Sequence, residues 1–146
     1  MPRVPVAGNS YIEIDDSGGT ARNLSAWVEE VEPLGRQVSA VDVTALNDTS
    51  RQVSAGVEPV QEFTLHGLFD DTPVTGPDAV LAGIVGTVVT VSYGPAGNGA
   101  GQRKISGEFL CLSYQVGGRA EEGRNPGPVR FTARFRQSGP VTLGLW

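Results

Sequence analysis

Glu62-Phe63-Thr64-Leu65-His66-Gly67-Leu68-Phe69-Asp70 alternates along its whole length. In an extended chain Phe63, Leu65, Gly67 and Phe69 share one side, and Glu62, Thr64, His66, Leu68 and Asp70 share the other. A period of two with large apolar groups on one side predicts a strand with a single buried face. The pattern returns at the other end of the chain. There Val129, Phe131, Ala133 and Phe135 alternate with Arg130, Thr132, Arg134 and Arg136. Tyr11-Ile12-Glu13-Ile14-Asp15 alternates too and runs into the turn-forming Asp16-Ser17-Gly18-Gly19-Thr20.

Between these strands the β signal continues. Residues 87–93 are β-branched and read as a buried strand. Residues 105–116 are the longest strand, reached through a Gly-rich hairpin loop at 94–101. Residues 26–31 read as a strand, although Leu24, Trp27, Val28 and Val31 also satisfy helical spacing. A last short strand is expected at 141–146. Helix is expected once, over about 77–86. Pro77 and Asp78 suit a first turn, Leu81, Ile84 and Val85 make one apolar face, and Gly86 stops it. Residues 38–59 are rich in Ser, Thr, Asn, Asp and Val, with a short strand-like piece at 38–44 and a turn cluster at Asn47-Asp48-Thr49-Ser50. A loop of that length in a compact domain is usually functional or disordered. The expected fold is mainly β: an antiparallel β-sandwich or barrel with one flanking α-helix and an extended loop, in a single domain over 1–146.

Composition agrees. The 146 residues include 20 glycines and 10 prolines, well above the usual ~12% for the two together. The single Cys111 excludes an internal disulfide and a Cys-rich zinc site, and the single His66 excludes a multi-His metal site. The longest apolar run, 79–91, falls short of the ~20 residues of a membrane-spanning helix. Met1-Pro2-Arg3-Val4-Pro5 lacks the apolar core of a signal peptide, so assembly in the cytosol is expected.

Charge is uneven. Residues 1–75 hold four arginines against twelve acids, net −8; residues 76–146 hold seven bases against four acids, net +3; together they give −5. A net acidic chain is a poor candidate for stable DNA binding. The asymmetry is either solvated surface or a source of opposite potentials for head-to-tail contacts between identical subunits.

Catalytic motifs are missing. His66 has no nucleophile marked near it in sequence, Cys111 reads as a small buried residue, and the pairs Asp15-Asp16 and Asp70-Asp71 end strands as turn formers. The 94–101 loop is followed by strand pattern, so it lacks the helix N-terminus of a phosphate cradle. The row Arg130, Arg134, Arg136 stands out. It suits pairing with acids across strands or subunits, Glu62, Asp70 and Glu108 being the candidates, better than a nucleic-acid stripe.

Val41-Asp42-Val43-Thr44-Ala45-Leu46-Asn47-Asp48-Thr49-Ser50-Arg51, then Gly56 and the strand from Glu62 to Asp71, resembles the major tail (tail tube) proteins of long-tailed bacteriophages. Thr75-Gly76-Pro77-Asp78-Ala79 and the Asp15-Asp16-Ser17-Gly18-Gly19 turn before Leu24-Ser25 are similar as well. The resemblance implies a structural virion protein, not an enzyme, and no cofactor. It implies hexameric rings stacked into a hollow tube, made in the host cytoplasm. Such a tube encloses a tape measure protein, meets tail terminator and distal tail proteins, and conducts double-stranded DNA without holding it or inserting into a membrane. On that view residues 38–59, with Val41, Asp42, Val43, Thr44, Leu46, Asn47, Asp48, Thr49, Ser50 and Arg51, reach the next ring. Glu62, Asp70, Glu108, Arg130, Arg134 and Arg136 face neighbours or an acidic lumen. No second immunoglobulin-like domain is expected after Trp146, which would make this a minimal version. The alternative is a monomeric β-sandwich binding module for carbohydrate or adhesion.

Overall fold

A computed structural model of the chain describes residues 3, 5, 8–118 and 127–146. Most of the N-terminal pentapeptide, and the greater part of the 117–128 loop with Glu121 and Glu122, lie outside the described residues.

Among the described residues, nine strands and one helix follow in the order β1 (Tyr11–Asp15), β2 (Ala21–Asn23), β3 (Val28–Val31), β4 (Ala40–Asp42), β5 (Val53–Ala55), β6 (Glu62–Leu68), α1 (Pro77–Ala82), β7 (Val88–Gly94), β8 (Arg103–Gly117) and β9 (Arg130–Leu145). Seven strands make one antiparallel sheet, β2-β1-β7-β8-β9-β6-β3, and β4-β5 pair separately. The sheet curls into a half-barrel. Its two outer strands, β2 and β3, are joined by residues 24–27 alone. Leu24 N–H donates to Ile12 O of β1, while Trp27 O accepts from Leu68 N–H at the end of β6. One tight turn therefore ties both ends of the sheet together.

The expected alternation fills the core. Phe63 and Leu65 from β6, Phe131, Ala133 and Phe135 from β9, Phe109 and Cys111 from β8, and Ile12 and Ile14 from β1 are all buried. Phe63 stacks on Phe135 at 5.2 Å and meets Phe109 edge-on at 4.9 Å, the offset and T geometries that ring quadrupoles favour. Val80, Leu81 and Ile84, in and just after α1, join this cluster. The Tyr114 hydroxyl donates to Asp78 Oδ1 at 3.1 Å, fixing the helix to β8. Burial, with help from the Asp78 charge, drives the Tyr114 phenol well above its ordinary value.

Three expectations are corrected. The helix ends at Ala82, because Gly83 is already the C-cap and residues 84–86 turn away to reach β7, with Gly86 at φ +84°. The 38–59 loop is built around a hairpin, with Ala40↔Ala55, Val41↔Ser54 and Asp42↔Val53 in register. The strands at 129–136 and 141–146 are one strand, β9. Pro140 is tolerated because residues 138–140 bulge opposite Glu108, between the pairs Phe109↔Gln137 and Gly107↔Val141. The three-residue β2, opposite β1 after the 16–20 turn, was too short to carry a pattern of its own.

The bulge has a second effect. With the register shift between Cys111 and Ser113, it bends the long β8–β9 hairpin so that it serves two sheet halves. One end of β8 pairs with β7, from Val88↔Leu110 to Tyr93↔Ile105. The opposite end of β9 pairs with β6, from Glu62↔Arg136 to Leu68↔Arg130.

Candidate functional site

No group of three or more metal-ligating side chains occurs among the described residues, and none of the helices there is long and apolar enough to cross a membrane. What the fold offers is surface: free strand edges, a charged sheet face and a projecting hairpin.

The half formed by β3, β6, β9 and the end of β8 has two outer edges. Residues 113–117 of β8 pair only with β9, and β3 pairs only with β6. Beside β3 lies a groove of about 760 Å³ lined by Tyr11, Ile12, Ala26, Val28, Val31 and Tyr93. It is the open seam of the half-barrel. The other half, β2-β1-β7-β8-β9, ends on β2 and on residues 141–145 of β9.

The outer face of the first half is charged. Phe131, Ala133 and Phe135 turn inward, so strand alternation turns Arg130, Thr132, Arg134 and Arg136 outward. Arg134 faces Thr64 and Arg136 faces Glu62 across β6. Arg134 Nη2 donates to Glu62 Oε2 at 3.0 Å, and Arg136 Nη1 stands 3.6 Å from Glu62 Oε1. Arg130 Nε donates to Glu29 Oε1 at 2.9 Å. His66 Nε2 lies 3.5 Å from Glu32 Oε2, and Glu30 is its register partner. Glu29, absent from the expected acids, was hidden because the β3 register shifts between Val28 and Glu30.

The other two candidate acids do not meet the arginines. Asp70 lies past the end of β6 and accepts from Trp27 Nε1 at 3.0 Å and from Thr72 N–H at 2.8 Å. These bonds, those of Thr72 first, hold its carboxyl below the ordinary range. Glu108 sits at the β8 bend and accepts from Thr90 Oγ1 at 2.6 Å. Nearby Asp15 is raised, by burial first and the Glu108 charge second.

The β4–β5 hairpin stands off the core. Val41, Asp42, Val43, Thr44, Leu46, Asn47, Asp48, Thr49, Ser50 and Arg51 are all exposed, Leu46 fully so. Its bonds are internal: Arg51 to Asp42, Thr44 N–H to Asp42 Oδ1 at 2.9 Å, and Ala45 N–H to Asp48 Oδ2 at 2.6 Å. The two tryptophans form no shared platform. Trp27 is bonded to Asp70, while Trp146 packs edge-on to Tyr11 at 5.3 Å beneath Lys104.

Neither a protein-family model nor a curated protein matches the sequence. The fold does match solved structures. The chain is similar to one from the tail of an empty gene transfer agent (GTA) particle with C6 symmetry, at TM-score 0.64 and 18% identity, over 92% of this chain and 94% of that one. It is similar to one from the virion of a native GTA particle, at 0.65 and 17%, over 94% and 97%. It is also similar to one from the sheath/tube terminator of an extracellular contractile injection system in its extended state, at 0.64 and 11%, over 99% and 98%. The chain thus has the fold of these tail and injection-system proteins.

Proposed function

We propose that this chain is a structural tail protein whose copies join into rings, the rings stacking into a hollow tube. One observation carries the reading. The β3-β6-β9-β8 half has an unpaired strand on each side, and its four strands alternate in direction. Placing β3 of one copy beside residues 113–117 of the next continues the antiparallel alternation, and repeating that step closes a ring. The five-stranded half lacks this property, because β2 and β9 run parallel and would meet in the less stable arrangement. The two edges also differ in charge. Glu29, Glu30 and Glu32 cluster at β3, while residues 113–117 carry no charge. Two β3 edges would repel each other, whereas β3 beside β8 meets no like charge.

The likeness in fold to C6-symmetric tail material supports six copies per ring. In such a ring β1, β2, β7 and α1 all lie on the core side of the joined sheet. Six such bodies fit outside a ring and not within it, so the bare charged face lines the lumen. The exposed β4–β5 hairpin then reaches the adjacent ring. The partners in this reading are other copies, a tape measure protein in the lumen, tail terminator and distal tail proteins at the ends, and duplex DNA in passage. The protein acts in the virion tail after assembly in the host cytoplasm, with no catalytic role.

Negative-stain microscopy of concentrated protein tests this. Rings or tubes of sixfold symmetry are expected. A species that stays monomeric at every concentration refutes it.

A further inference from the structure

We propose that Glu29 and Glu62 are masking residues, which cancel a row of arginines that would otherwise grip the phosphates of duplex DNA. The proposal rests on the reading of this face as the lumen wall. The composition of the face is not what a simple repulsive wall would have. Arg130, Arg134 and Arg136 span six steps of one strand, roughly 20 Å at ~3.4 Å per residue. That is the length of about six phosphates along one strand of DNA. All three guanidinium side chains are about half exposed, and such a row on a bare sheet face is a phosphate-binding stripe in the making.

Each arginine is nevertheless occupied. Glu62 stands between two of them, with one oxygen 3.0 Å from Arg134 and the other 3.6 Å from Arg136. Glu29 holds Arg130 at 2.9 Å. With Glu30 and Glu32, the face carries four carboxylates against three guanidiniums, and His66 lies next to Glu32. A phosphate approaching an arginine must displace a carboxylate already there and meets the repulsion of the one acid left over. DNA can touch this wall without being retained by it.

Exchange of carboxylate for amide at both sites tests the idea while keeping side-chain shape. In the Glu29→Gln/Glu62→Gln variant the three arginines face two remaining acids. Its affinity for a short fluorescent DNA duplex, read by anisotropy at about 50 mM salt, is expected to rise at least about tenfold over the unaltered chain and to collapse by about 200 mM. Adding Arg134→Gln and Arg136→Gln should abolish the gain. Asp48→Asn/Asp71→Asn, the same charge change outside the β3-β6-β9 ladder, should show none. The proposal is overturned if the double variant fails to bind, if the unaltered chain binds as tightly, if binding survives loss of the arginines, or if the control gains equally. Circular dichroism melting confirms that each variant is folded. The titration is run on unassembled subunits, where the face is exposed, and on assembled material by sedimentation. Absence of rings would end the tube reading, while the subunit titration would still decide whether the acids mask the arginines.

Discussion

Gly67 is the position where the fold leaves no room for a side chain, and Gly67→Ala measures how tightly the half-barrel is closed. The residue lies in β6 opposite Phe131 of β9 on one side and Val28 of β3 on the other. A methyl group there would stand 2.6 Å from Phe131 Cε1 and Cζ and 2.6 Å from Trp27 O. Favourable carbon contacts begin near ~3.5 Å, so each neighbour must retreat by about 1 Å. Phe131 is buried, with the Tyr114 ring 5.9 Å from its own. Trp27 O accepts the 2.7 Å bond from Leu68 N–H that pins the sheet's closing turn. Overpacking costs about 1–3 kcal/mol and a lost hydrogen bond about 0.5–1.5 kcal/mol, so the variant should be about 2–4 kcal/mol less stable. That corresponds to a fall in Tm of roughly 4–16 °C for a domain of this size. Urea unfolding followed by tryptophan fluorescence should show a lower midpoint at unchanged slope. Since the displaced element is β3, ring formation should fail at temperatures where the variant remains folded. A loss below about 0.5 kcal/mol would show that the closing turn is not held against β6, and the geometry argued here would be wrong.

Replacing residues 43–52 with Asn-Gly should keep the β4–β5 pairing and leave the melting temperature nearly unchanged, since the hairpin's bonds are internal; single rings should form but not long tubes, and tubes of normal length would remove the hairpin from stacking. Asp70 has a lowered folded pKa, so its contribution to stability is full above the ordinary carboxylate value near 3.8 and is lost as pH falls through the lower folded value. Trp27 emission should therefore change in acid below that value, and Asp70→Asn should abolish the transition; an unchanged titration would break the link between the two. Burial pushes the Cys111 thiol from about 9 to about 11, so stability should fall as pH rises through that window, and the thiol should resist modification at pH 8 until the chain unfolds. Rapid labelling of the native protein would place Cys111 outside the core.

The strands that bury one face were legible because alternation reports burial directly: Phe63 and Leu65, and Phe131, Ala133 and Phe135, stand where period two puts them. The sheet order was not legible. It depends on which edges remain free after a bend, and the bend comes from Ser138, Gly139 and Pro140, which in sequence look like the end of one strand and the start of another. Proline is a good stop signal in a flat strand; here the bulge spares the chain an N–H it could not have donated. The hairpin within 38–59 was missed for a different reason. All six of its strand residues are exposed, so no apolar period exists to be read. Among the charged candidates, Glu62 was found because it faces Arg136 in a simple register, and Glu29 was lost to a register shift that no pattern in four residues could reveal.

That bend also explains why such a chain would be selected to assemble. A short hairpin flanked on both sides leaves no edge exposed. Here β8 has 15 residues and β9 has 16, yet β7 covers one end of the pair and β6 the other. Each long strand therefore keeps an uncovered stretch, at opposite ends of the hairpin. In an isolated monomer these stretches are a liability, open to uncontrolled pairing. The curl does not remove it, since the closing turn brings β2 and β3 together without joining them in a ladder. Two features limit the wrong pairings. Residues 113–117 present Ser113 and Gln115 outward beside the arginine-bearing β9, while β3 carries Glu29 and Glu30. Two β3 edges repel each other, and the uncharged β8 edge is the partner β3 meets without that cost. In the proposed assembly such unlike edges make a heterologous contact, which closes a ring where the rotation permits, in place of a two-fold dimer. In the proposed assembly, the same unequal coverage that opens the subunit's edges also decides which of them can meet.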